Sequence, residues 1–277
     1  MTLLIIGMNS FIAKQFISEC EKNNIPFTAC NHNNVPAMLD KYDWVVNFSL
    51  NPKLFNEIYS ESIDQDFLIS QKVARTTSTT KFAFISSRTV YGIPNVLEPI
   101  PETFVCDKNN PRKYGENKLI SENRCREILG DDRLLVTRAS NIFGLEIGRH
   151  TFMGIAQKRL VERSEILLDI SKKTKRDFIP VTTYCSALLE LILKDKTGLF
   201  NVGSGHATSL EEICTNIING YGRGTLLEMK DVEIKDQFVL DTIKLKNSIS
   251  FSTSEKDILE YCKNLGNQLK KVKNELQ

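Results

Sequence analysis

Over its first half the chain alternates short, fully apolar runs with longer stretches whose apolar positions recur at helical spacing. Residues 3–6, Leu-Leu-Ile-Ile, form the first run and lead straight into Gly7. A run with no polar alternation predicts a strand covered on both faces. Phe11, Ile12, Phe16 and Ile17 then share one face of a helix predicted over 11–22. The alternation continues, with strands predicted over 27–30, 43–48, 81–87 and 134–138, and helices over 63–74 and 112–129. A loop carrying Pro94, Pro99, Pro101 and Pro111 separates the strand at 81–87 from the helix after it. Strands alternating with helices predict a parallel, doubly wound α/β sheet with helices on both faces.

Beyond Gly144 the pattern loosens. Short strands are predicted at 166–168, 177–179 and 199–202, with a helix over 186–193. Ser209, followed three residues later by Glu212, has the form of a capping box and marks another helix start. Near the end, Ile258, Leu259, Leu265 and Leu269 recur among polar, Lys-rich sequence, which predicts a terminal amphipathic helix whose lysines (Lys270, Lys271, Lys273) face solvent.

Composition narrows the class of function. A chain of 277 residues suits one large domain or two coupled ones. The 36 Lys and Arg against 34 Asp and Glu leave a net charge of +2, so no global field recruits nucleic acid or an anionic membrane. No apolar run approaches the roughly 20 residues that span a bilayer. The start, Met1 to Gly7, lacks a basic region and reads as a buried strand rather than a leader. Seven scattered cysteines form no Cys-x-x-Cys pair, and the three histidines (His32, His150, His206) lie far apart, so neither a metal site nor a disulfide framework is expected. A reducing, cytoplasmic setting fits this usage.

The junction after the first strand reads Gly7-Met8-Asn9-Ser10-Phe11-Ile12-Ala13. A dinucleotide-binding turn needs small residues where the chain turns, passes a pyrophosphate and packs its helix on the strand. Gly7, Ser10 and Ala13 fall on those positions, and the helix start offers free N–H groups to an anion. At the end of the second strand a carboxylate normally reads the adenosine ribose and repels a 2′-phosphate. Here the run is Asn31-His32-Asn33-Asn34, which tilts the reading toward NADP, although no Arg stands there to grip the phosphate.

Candidate chemistry lies in Ser86-Ser87-Arg88-Thr89-Val90-Tyr91-Gly92 and in Tyr114-Gly115-Glu116-Asn117-Lys118. Tyr114 and Lys118, four apart on a helix, share a face. An ammonium beside a phenol lowers the phenol's pKa toward neutrality, so Tyr114 is expected to act as acid or base on a carbinol or carbonyl oxygen. Ser87, at a strand end, can donate a hydrogen bond to the same oxygen.

These segments, taken in order, resemble the extended short-chain dehydrogenases/reductases of the NAD-dependent epimerase/dehydratase family, which act on nucleotide sugars. Arg138-Ala139-Ser140-Asn141-Ile142-Phe143-Gly144 resembles the family's Arg-x-x-Asn-x-Tyr-Gly. Arg176-Asp177-Phe178-Ile179-Pro180-Val181 resembles its Arg-Asp-Phe-Ile-x-Val, and Asn201-Val202-Gly203-Ser204-Gly205 its Asn-x-Gly-x-Gly. The resemblance implies a Rossmann-type domain over 1–165, with a returning segment near 176–200, and a smaller substrate lobe over 166–277. It implies Ser87, Tyr114 and Lys118 as the catalytic set. Gly7, Ser10, Phe11, Ile12, Asn31, His32, Tyr114 and Lys118 would hold NADP, or NAD. Ser87, Arg88, Asn141 and Arg176 would contact the nucleotide sugar, Arg176 at its diphosphate. A homodimer is also implied.

Departures from the family pattern refine the reaction. A 4,6-dehydratase needs paired acids just after the catalytic Ser or Thr, and this chain has Arg88 and Thr89. The segment between the second strand and Asp43 is short, as in 4-keto-sugar reductases. Cys106 is a candidate extra acid/base. The sequence thus favours a 4-keto-sugar reductase, with a 4-epimerase or a non-catalytic dinucleotide-binding protein as alternatives.

Overall fold

The computed structural model describes residues 1–77, 79–106 and 112–275. Pro111, the last proline of the expected loop, lies outside them. With strands numbered in chain order, β1 (Leu3–Ile6), β2 (Phe27–Cys30), β3 (Trp44–Asn47), β4 (Lys81–Ser87), β5 (Leu134–Ala139) and β9 (Gly198–Val202) form a six-stranded sheet. Every neighbouring pair is parallel, and the strand order is β2-β1-β3-β4-β5-β9.

Successive side chains of a strand point to opposite faces, and β1 divides accordingly. Leu3 and Ile5 enter one core with Phe16, Val46, Tyr184 and Leu188. Leu4 and Ile6 enter another with Val45, Phe82, Ile69 and Leu129. The first core is covered by α1 (Phe11–Lys22) and α5 (Val181–Leu193), the second by α2 (Gln65–Ala74) and α3 (Lys113–Arg133). α3 breaks at Gly130, whose φ is 65°. α5 begins five positions before the expected 186. Its first turn, Val181-Thr182-Thr183, is β-branched and reads as extended chain.

The shortened unit shows in the topology. β2 leads through a single 3₁₀ turn, His32–Asn34, toward β3, which lies on the far side of β1. A doubly wound dinucleotide fold normally carries a further strand outside β2. Here β2 is the edge of the sheet.

Two further sheets form: β6 (Asn141–Phe143), β8 (Lys175–Pro180) and β10 (Ala207–Ser209) in one, and β7 (Glu165–Leu168) paired with β11 (Thr225–Glu228) in the other. Around them lie α4 (Phe152–Arg163), α6 (Leu210–Tyr221), α7 (Ile243–Ser248) and α8 (Glu255–Glu275). A third core joins Met153 and Leu160 of α4 to Ile213, Ile258, Leu265 and Leu269. The capping box forms, with the Glu212 N–H donating to Ser209 Oγ at 3.1 Å and the Ser209 N–H to Glu212 Oε2 at 3.0 Å. Among the described residues no helix is long and apolar enough to cross a membrane.

Candidate active site

The phosphate turn forms where β1 ends. Gly7 has a φ of 83°, and a Cβ there would stand 2.7 Å from the Ser49 amide nitrogen. Both conformation and space therefore require glycine at this first position. The N–H groups of Gly7 and Met8 donate to the Cys30 carbonyl at 2.9 and 3.2 Å, which ties the turn to the end of β2. Ser10 caps α1, its Oγ accepting from the Ala13 N–H at 3.2 Å. Ala13 is fully buried against the strand. Ser10 and Ala13 thus supply the small volumes that the turn needs. Asn31 follows β2 and accepts from Asn9 Nδ2 at 3.3 Å, whereas His32 is exposed.

Parallel sheets collect ligands at the carboxyl ends of their strands. Here the segment after β3, the end of β4 and the start of α1 wall a cleft of about 380 Å³. Ser10, Phe11 and Ile12 line it from the turn, and Tyr114 and Lys118 from the first turns of α3. Turn and Tyr–Lys pair therefore face one space. Phe55 stacks on the Tyr114 ring, with centroids 4.7 Å apart and planes inclined by 26°. Asn117 holds that loop in place by donating to the carbonyls of Leu54 and Glu57, both at 2.9 Å.

Lys118 has partners that the sequence reading missed. Its ammonium donates to Asp66 Oδ2 at 2.8 Å and to the Ile85 carbonyl at 3.0 Å, and it lies 4.4 Å above the Phe84 ring. Asp66, in the first turn of α2, also accepts from Asn47 Nδ2 at 2.7 Å. The Lys118 and Asp66 side chains are 5% and 3% exposed, so this is a buried ion pair. Burial pushes the Asp66 carboxyl up to about 6 against the pull of Lys118. Burial works against the Lys118 ammonium, but Asp66 outweighs it and holds the amine above its ordinary value.

This pairing corrects the expected tyrosine chemistry. Tyr114 is not drawn toward neutrality. Burial raises its pKa first, Lys118 pulls it down, and the Asp66 carboxylate pushes it up again. The ammonium that was to favour the phenolate has a counter-ion beside it.

Ser87 ends β4, two residues beyond Ile85 of the cleft, and its Oγ accepts from the N–H and Oγ1 of Thr89 at 3.2 and 3.0 Å. That leaves the Ser87 hydroxyl hydrogen as a donor. Beneath it, Ser86 Oγ donates to Glu122, whose carboxylate is held by Arg138 at 2.7 Å. Cys106 packs with the Val90 and Tyr91 cluster and lines neither this cleft nor the one below. Burial pushes its thiol up, against the pull of Arg138.

A second pocket, of about 820 Å³, is lined by Arg88, Arg112, Asn141, Arg176 and Asp236. The Asp236 carboxylate takes both nitrogens of Arg88 (2.7 and 2.9 Å), Arg112 at 2.7 Å and Arg176 at 3.1 Å. Burial raises the Asp236 carboxyl, but Arg88, Arg176 and Arg112 together hold it below the usual carboxylate range. Burial and the neighbouring arginines lower Arg176 to about 10. Three guanidinium groups around one carboxylate leave a local excess of positive charge suited to a polyanion. Arg88 and Arg176 line this pocket with Asn141, and both are already ion-paired to Asp236. Arg112 and Asp236 were not visible as site residues, because nothing in their spacing carries a motif. Asn47 left a weak trace, because it ends a parallel strand, where sites form, and Asp66 left none.

The family model of the NAD dependent epimerase/dehydratase family matches residues 3–203. Among solved structures, RMD from Pseudomonas aeruginosa complexed with NADPH superposes with a TM-score of 0.80 at 17% identity, covering 98% of this chain and 99% of that one. A UDP-galactose 4-epimerase gives a TM-score of 0.76 at 18% identity, with 100% of each chain covered. The dTDP-glucose 4,6-dehydratase of Bacillus anthracis str. Ames, in complex with NAD, gives 0.75 at 16%, covering 99% and 98%. At these identities the likeness establishes the fold.

Proposed function

The chain belongs to the NAD dependent epimerase/dehydratase family, and from that premise we propose that it is an NADPH-dependent reductase of a nucleotide-linked 4-keto sugar. The observation that carries this reading is the single cleft lined by both the phosphate turn and the Tyr114–Lys118 pair. When bound, the nicotinamide supplies a hydride to the keto carbon. Gly7, Ser10, Phe11 and Ile12 hold the coenzyme at its diphosphate, and Asn31 faces its adenosine ribose without a carboxylate to repel a 2′-phosphate. Ser87 donates a hydrogen bond to the keto oxygen and Tyr114 donates the proton that completes the alcohol. The substrate diphosphate binds among Arg176, Arg88 and Arg112, with Asn141 beside it, where the arginines outnumber Asp236. A dehydratase would need acids where Arg88 and Thr89 stand, and Arg88 is committed to Asp236.

Stoichiometry decides the reaction. Enzyme is incubated with a nucleotide-linked 4-keto-6-deoxy sugar and NADPH, following absorbance and the product by NMR. One coenzyme oxidised per hydroxy sugar formed is the expected result. Interconversion of two hydroxy-sugar nucleotides without net oxidation would establish an epimerase instead.

A further inference from the structure

We infer that Asp66 is a positioning residue that cancels the charge of Lys118 and so keeps Tyr114 a neutral phenol, poised to give a proton rather than to take one. The inference rests on the reading of Tyr114 as the acid/base, and it supplies that reading with a direction. Asp66 is two residues into α2 and meets Lys118 of α3 at 2.8 Å, with both side chains buried. Its second oxygen is fixed by Asn47 at 2.7 Å, and Asn47 is held in turn by the N–H of Ser49 at 3.0 Å. The carboxylate therefore cannot swing away from the ammonium without breaking a buried network.

Among the described residues, charged and titratable groups reach Tyr114 from several elements. Lys118 approaches from α3 itself, and Asp66 with Asp64 from α2. Tyr184 of α5 couples to Tyr114, and Arg149, after β6, lines the same cleft. Lys118 alone would stabilise a phenolate. With Asp66 beside it the pair is close to neutral, and only one ammonium hydrogen is left after Asp66 and the Ile85 carbonyl are served. A neutral phenol suits reduction. The Tyr114 O–H bond breaks as a new O–H bond forms on the sugar oxygen, while the keto carbon receives the hydride described above. The phenolate then recovers a proton from water. Oxidation of a hydroxy sugar, the opening step of an epimerase, would need the phenolate first.

The test needs no substrate, so its outcome is separate from that of the stoichiometry experiment. Tyrosinate absorbance is titrated with pH, and Tyr114 is isolated from the other tyrosines by subtracting the matching Tyr114→Phe protein. In Asp66→Asn the Tyr114 midpoint is expected to fall by about one pH unit or more, because an uncancelled ammonium favours the phenolate. An unchanged or higher midpoint overturns the inference. Asp66→Asn leaves a buried ammonium unpaired, a change that strains the fold, so Asp66→Asn with Lys118→Met is titrated as well. That pair of changes removes both charges and leaves no buried ion alone. If the two charges cancel, its Tyr114 midpoint stays near that of the parent. A rise of about one pH unit or more would show that Lys118 acts uncancelled, and would overturn the inference.

Discussion

Asp236 concentrates the electrostatics of the substrate pocket in one side chain. Its backbone sits at a φ of 56°, its carboxylate is shared by three arginines, and Arg88 also stacks 3.9 Å over the Phe238 ring. Asp236→Asn keeps the shape but leaves Arg88 buried without a counter-ion. Breaking a buried pair in this way costs about 3–5 kcal/mol, and denaturant unfolding at neutral pH should show a loss of that order. The pH dependence has a definite sign. A carboxyl lowered in the folded protein stabilises it above the ordinary carboxylate range, and that contribution fades as pH falls through the lowered value. The gap between parent and Asp236→Asn should therefore be full at neutral pH and shrink below about pH 4. A gap that persists unchanged in acid would show that the carboxylate charge is not its source. Arg88 and Arg176 could be found because they stand in motifs. Asp236 could not, because it lies 148 residues from Arg88 in sequence and only the fold brings them together. The same holds for Asp66, 52 residues from Lys118.

Elements were legible where periodicity is strong. The strands of the main sheet announce themselves as unbroken apolar runs because both faces are covered, and α8 shows its stripe through Ile258, Leu265 and Leu269. α4 was not legible, since its inward face includes Gly154 and Gln157, which blunt the apolar pattern. How α8 packs was hidden for a related reason: its contact with α6 is made by absent side chains. A Cβ on Gly220 would overlap the Lys263 carbonyl oxygen, and one on Gly266 would overlap the carbonyl oxygen of Ile217. The two helices touch backbone to backbone. Gly220→Ala gains at most about 1 kcal/mol of helix propensity, whereas overpacking costs about 1–3 kcal/mol, and more where rigid backbone must move. Destabilisation should win, seen as a lower denaturant midpoint with the slope unchanged. A raised midpoint would mean that the helices part freely.

At the scale of the molecule, losing the unit outside β2 changes what surrounds the coenzyme. β2 becomes the sheet edge, so the residue that follows it, Asn31, stands at that edge and accepts from Asn9 of the phosphate turn. The sheet order made this visible, and the shortness of the segment before Asp43 already hinted at it in the sequence. Which dinucleotide is preferred was less legible, because the argument turns on a carboxylate that is missing rather than on a group that is present. The proposed preference for NADPH can be tested at that position. Asn31→Asp keeps the side chain's size and its ability to accept from Asn9, and adds one negative charge where the adenosine ribose is proposed to lie. Like charges about 4 Å apart repel by about 1 kcal/mol in bulk water and by more near a protein surface, and about 1.4 kcal/mol is a tenfold change in affinity. Titrations of parent and variant with NADPH and NADH, followed by nucleotide fluorescence, should show NADPH weakened by about tenfold relative to NADH. The effect should diminish as salt is raised, since the position is open to solvent. If Asn31→Asp leaves the ratio of the two affinities untouched, Asn31 does not face the ribose, and the selectivity of this shortened fold must be set elsewhere along the open edge of β2.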